Sequence, residues 1–150
     1  MARIAPMAAA LAALLAVSPS SAHITLQPAE AAAGGSFIAT FRVPHGCDGA
    51  PTVRLAVRVP DEILTAKPRP KPGWTLATAK EGGVVREVTW SGGKLADEQF
   101  DEFAVLVFLP DKPGATLRFA VEQGCDGGAV EHWQPTLRLG PAAAREHEHH

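Results

Sequence analysis

From Ser36 onward apolar residues recur at every second position, and the three-to-four spacing of a helix is almost absent. Residues 36–43 put Phe37, Ala39, Phe41 and Val43 on one face. Residues 52–59 turn Val53, Leu55, Val57 and Val59 inward and Arg54 and Arg58 outward. Residues 84–90 and 100–109 continue the alternation, and residues 115–125 set Leu117, Phe119 and Val121 against Arg118 and Glu122. A last strand is expected over residues 130–139, kinked or placed at an edge by Pro135. Turn signals separate these runs: Gly34-Gly35, residues 46–51, Gly82-Gly83, Gly92-Gly93, residues 112–114 and Gly127-Gly128. Many short strands at such spacing predict an all-β sandwich. The proline-rich residues 67–72 read as an extended crossover ending on Trp74, and no internal repeat is present.

The first residues follow a different logic. Arg3 precedes an apolar run over Ile4, residues 8–15 and Val17, and a polar stretch follows over residues 18–22. Ser20 and Ala22 are the small residues a signal peptidase needs at its −3 and −1 positions. The run is too short for a permanent membrane anchor. Residues 1–22 are therefore expected to be a cleaved signal peptide, with His23 opening a periplasmic or secreted mature chain. Residues 23–140 make one domain of ordinary size, and residues 141–150 read as a disordered, His-rich tail.

The formal net charge is −2, from 14 Lys and Arg against 16 Asp and Glu, and no basic patch stands out, which excludes nucleic acid as a partner. No later stretch is long and apolar enough to be a transmembrane helix, so the processed chain is not expected to cross a membrane. Two cysteines remain, Cys47 and Cys125. In an oxidising compartment they read as one disulfide, closing a loop of about 80 residues and contributing roughly 4 kcal/mol on the chain-entropy model. A pair of thiolate metal ligands is the alternative.

Signal cleavage changes the chemistry of His23. A terminal histidine offers its α-amine and ring Nδ1 to one metal in a six-membered chelate ring. An α-amine has a pKa near 8, so proton competition at neutral pH is modest. Nitrogen and oxygen donors in a roughly square arrangement suit Cu(II) best among the common divalent ions. The methionines, Met1 and Met7, both leave with the signal, and there is no tyrosine. With the cysteines paired, no soft sulfur remains for a Cu(I) carrier or a blue-copper centre, and a hard N/O site for Cu(II) survives.

Several segments, in order, resemble the YcnI family of extracytoplasmic copper-binding domains. They are His23-Ile24-Thr25-Leu26-Gln27-Pro28, Phe41-Arg42-Val43-Pro44-His45-Gly46-Cys47-Asp48-Gly49, Pro70-Lys71-Pro72-Gly73-Trp74 and Val88-Thr89-Trp90-Ser91-Gly92-Gly93. Phe100-Asp101-Glu102-Phe103 and Gln123-Gly124-Cys125-Asp126-Gly127 with Trp133 complete the set. The resemblance implies a cupredoxin-like or immunoglobulin-like sandwich that holds Cu(II) in a mono-histidine brace. Carried over by motif, His23 supplies amine and imidazole, Glu102 supplies oxygen, and Trp133 lies against the metal. Glu102 shares a strand face with Ala104, Leu106 and Phe108, where a carboxylate needs a partner such as a metal. A solvated strand end is the other reading.

His45 reads as a loop histidine beside Cys47, and alternation points His132 away from Trp133. Trp74 and Trp90 read as core or rim, and the histidines of the tail as loose metal scavengers or a solvated end. The function expected is non-catalytic copper handling, with a membrane copper transporter or another periplasmic copper protein as partner. Two alternatives stand beside it: a copper oxygenase, which would need a second histidine from His45 or His132, and a metal-free structural or adhesive sandwich. No Ser/His/Asp or paired-carboxylate arrangement suggests hydrolysis.

Overall fold

A computed structural model describes Ala2 and residues 23–143. The expected signal peptide, Ala2 apart, and residues 144–150 of the expected tail lie outside the described residues. Twelve strands carry the fold: β1 (Thr25–Gln27), β2 (Glu30–Ala32), β3 (Ser36–Val43), β4 (Thr52–Arg58), β5 (Ala66–Pro68), β6 (Thr75–Glu81), β7 (Val84–Leu95), β8 (Asp101–Phe108), β9 (Thr116–Arg118), β10 (Ala120–Cys125), β11 (Val130–Trp133) and β12 (Thr136–Gly140). They form a four-stranded sheet in the order β1-β3-β8-β5, a five-stranded sheet β11-β10-β4-β7-β6, and a small third sheet β2-β12-β9. No helix among the described residues is long and apolar enough to cross a membrane.

Alternation sets the register. Leu26, Phe41 and Phe103 stand side by side across β1, β3 and β8, all buried. Val121, Val57 and Val88 do the same across β10, β4 and β7. The two inner faces interlock through aromatic edges: Phe41 meets Phe119 at 5.2 Å and Trp90 meets Phe103 at 5.4 Å between ring centroids. Each such side chain contributes about 1.5–3 kcal/mol by leaving water. Cys47 and Cys125 are joined as the expected disulfide, with Cα atoms 6.0 Å apart.

Three local expectations are corrected. The last strand is two strands, because residues 134 and 135 break the ladder and pass the chain from the second sheet to the third. The crossover at residues 67–72 begins as β5, which pairs with β8, and β6 follows it. β6 showed no alternation because it is an edge strand, exposed at every position except the half-buried Leu76. Finally, β8 buries Phe103, Val105 and Val107, so Ala104, Leu106 and Phe108 lie on the outer face, with Leu106 and Phe108 exposed.

Candidate metal centre

β1 and β11 are edge strands of the two large sheets, and the sandwich closes along this flank. Ile24 and Leu26 are buried and anchor the start of the domain, which leaves His23 exposed at the rim. Trp133 ends β11 opposite the buried Val121, so its indole turns toward the interior. The two rings meet edge-on, 5.1 Å between centroids at 89°. Trp133 Nε1 donates to Gln123 Oε1 at 3.0 Å. Gln123 is itself 1% exposed, and its Nε2 donates to Thr52 Oγ1 and to the His45 carbonyl, both at 2.8 Å. A buried amide satisfied on both ends fixes the indole plane beside His23.

His45 belongs to a tightly held turn. Cys47 and Ala50 exchange backbone hydrogen bonds at 3.0 and 2.9 Å around Asp48 and Gly49, both left-handed, with φ of 45° and 86°. Asp-Gly is the sequence this two-residue turn favours. Gly46 donates its amide to Asp97 Oδ1 at 2.9 Å, and a Cβ there would lie 1.8 Å from the Ala50 carbonyl oxygen, so only glycine fits. The His45 ring is half-buried, with Nδ1 on the Gly46 carbonyl. Its Nε2 is shielded from solvent and has no hydrogen-bond partner among the described residues.

Glu102 has a different setting. Thr25, Arg42 and Glu102 are in register across β1, β3 and β8, so Glu102 stands two inter-strand spacings, roughly 10 Å, from Thr25. Its carboxylate lies 3.4 Å from the Arg42 guanidinium on the outer face, both side chains well solvated. The partner that the apolar strand face seemed to demand is thus an arginine on a solvent-exposed face. The structure brings His23 and Trp133 together and leaves Glu102 with Arg42.

His132 is exposed on the face opposite Trp133, beside Glu122, which pairs with Arg54 at 2.7 Å. Among the described residues no three His, Cys, Asp or Glu side chains cluster to hold a metal. Such clusters do not include an α-amine, which His23 gains only if the chain is cut before it. Gln123 was not singled out from the sequence, although a signal existed: it is the polar residue at an inward position between Val121 and Cys125.

The profile of a family described as a domain of unknown function, DUF1775, matches residues 23–149. The chain belongs to this family, the YcnI-like group. The DUF1775 match begins at His23 itself. A relative from Bacillus subtilis (strain 168), named copper-binding protein CutI, is 32% identical over 116 residues, covering 76% of this chain and 56% of its own length. The chain thus spans little more than half of that curated relative. An uncharacterized protein from Nocardia farcinica, solved by crystallography and described as immunoglobulin-like, is 30% identical with a TM-score of 0.68 over 80% of this chain and 99% of that one. The sixth cohesin of Acetivibrio cellulolyticus scaffoldin B is 14% identical with a TM-score of 0.50, covering 78% of this chain and 97% of that one. That is a likeness of fold alone. This DUF1775 domain is therefore an immunoglobulin-like β-sandwich.

Proposed function

We propose that this protein binds Cu(II) outside the cytoplasm through His23, as first residue of the processed chain, and handles copper without catalysing a reaction. The observation that carries the reading is the His23–Trp133 contact, with the indole fixed through Gln123. It gives the residue with the best chelating chemistry a rigid, half-buried wall at the sandwich rim. Support comes from the relative named as copper-binding and from a family match that starts at His23. Bound copper would be chelated by the amine and Nδ1 of His23, with Trp133 beside it. Glu102, the oxygen donor implied by the family resemblance, would have to leave Arg42, so the reading rests on His23 and Trp133. With the cysteines paired no thiolate is left, and the two nitrogen donors of His23 suit Cu(II). A membrane copper transporter or another periplasmic copper protein is the partner such a carrier would serve.

The test is metal analysis and Cu(II) titration of protein beginning at His23, against protein with one extra alanine before it. The extra residue turns the amine into an amide and leaves a single imidazole. Linking two donors in one chelate is worth roughly 100-fold or more, so affinity should fall by about that factor. Equal affinity in the two forms would end the proposal.

A further inference from the structure

We infer that the outer face of the β1-β3-β8-β5 sheet docks a second copy of this chain, the two related by a two-fold axis that crosses the strands. The pairing uses none of His23, Gln123 and Trp133 and stands or falls apart from the copper reading.

Four of the six large hydrophobic residues exposed among the described residues, Ile38, Leu64, Leu106 and Phe108, gather on this face. Ile38 pairs directly with Leu106, Phe108 follows two residues further along β8, and Leu64 lies beside Phe108 just before β5. Their exposures run from 44% to 69%. On a sheet with one wet face the outward positions ordinarily go to polar residues, as Thr40 and Arg42 do further along β3. Neighbouring apolar side chains left this open mark a surface that binds something.

Charge says what it binds. Two hollows flank the apolar ridge. One, of about 350 Å³, lies beside Ala104 and Leu106, and the charged residues of its wall are Lys67 and Arg69. The other, of about 650 Å³, lies beyond Phe108, and the charged residues of its wall are Glu62 and Asp111. All four are exposed, and the six ion pairs among the described residues include none of them. From Ala104 to Pro110 the strand runs roughly 20 Å, more than two Debye lengths at physiological salt, so the two ends do not neutralise each other within one copy. Arg42 and Glu102, further along the same strands, satisfy each other.

A surface that is basic at one end, acidic at the other and apolar between is complementary to itself. With the axis passing between Leu106 and Phe108, the basic hollow of each copy meets the acidic hollow of its mate while the apolar ridges close on one another. A uniformly charged partner would match only one end. Eight-residue strands four abreast present roughly 500 Å² of flat face. The loops carrying Glu62 and Asp111 extend it toward the ~800 Å² per partner of a standard interface, so the dimer should be reversible and of modest affinity.

The experiment follows metal-free protein beginning at His23 by sedimentation velocity, at concentrations up to about 1 mM, the weak end of specific association. A dimer with a micromolar Kd is expected, weakening as salt is raised because its end contacts are ionic. Lys67→Glu with Arg69→Glu makes both hollows acidic, and Glu62→Lys with Asp111→Lys makes both basic. Each variant alone should dimerise more than about 10-fold more weakly, because like charges then face each other. An equimolar mixture of the two should restore association to near the wild-type level, which misfolded chains could not do. Leu106→Lys should abolish it. Wild-type protein that stays monomeric throughout overturns the inference, and so does a dimer indifferent to the charge variants and to Leu106→Lys. A dimer that forms only after residues 144–150 are removed would show that the chain's own tail covers the face, and overturns it too.

Discussion

Trp133 donates its indole hydrogen to Gln123 at 3.0 Å while its ring meets that of His23 in a T-shaped contact, so one side chain joins the buried polar network to the exposed start of the domain. This double contact makes the tryptophan a reporter as well as a wall. Cu(II) at His23 should quench its fluorescence, while Trp90, fully buried in the core, should respond little. Trp133→Phe should remove most of that quenching. It should also leave Gln123 Oε1 unpaired and lower stability by about 1–3 kcal/mol, measured by urea unfolding. Full quenching in the variant would place copper elsewhere.

The Cys47–Cys125 bond spans 78 residues of sequence and ties the His45 turn to the end of β10. Exported protein should show no reactive thiol under denaturant. Replacing both cysteines with serine should cost roughly 4 kcal/mol of stability on the chain-entropy model. Two titratable thiols in exported protein would revive the thiolate-ligand alternative.

Glu102 offers a sharp contrast between motif and geometry. The motif expects a copper ligand, whereas the carboxylate lies beside Arg42 on a solvated face. Glu102→Gln is expected to change Cu(II) affinity by less than about threefold and stability by less than about 1 kcal/mol, the worth of an exposed ion pair. A large loss of copper affinity in a folded variant would show that the carboxylate moves to the metal.

The non-catalytic reading has its own check. A copper oxygenase needs an open face for substrate and oxygen, and here one side of His23 is occupied by the Trp133 indole. Incubated with polysaccharide, reductant and peroxide, the copper-loaded protein should release no more oxidised product than free copper. Turnover well above that level would move the protein into the enzyme class.

Much of this architecture was legible in the alternation of residues 36–43, 52–59 and 115–125, because strands with one wet face write their burial into the sequence. β8 was legible as a strand but not as to which face was inside. Phe103, Val105 and Val107 alternate with Ala104, Leu106 and Phe108, and a run apolar on both faces carries no period. That misreading lent Glu102 a burial it does not have. β6, wet on both sides, left no pattern at all. His23 and Trp133 were legible as candidates through processing chemistry and motif. The orphaned Nε2 of His45 was not, since it depends on a carbonyl, a turn and a disulfide meeting in three dimensions.

The break at residues 134 and 135 does more than divide a strand. β9 and β10 on one side, and β11 and β12 on the other, form one long hairpin that serves the second and third sheets in turn, and Phe119 donates to the Pro135 carbonyl at 3.0 Å where it crosses. An edge strand is ordinarily the first part of a sandwich to fray. Trp133 sits on an edge whose continuation is stitched through Leu137 and Leu139 into the core. Peeling it away would tear two layers at once, so on the copper reading an ion would meet the wall beside His23 already formed, with no opening of the fold.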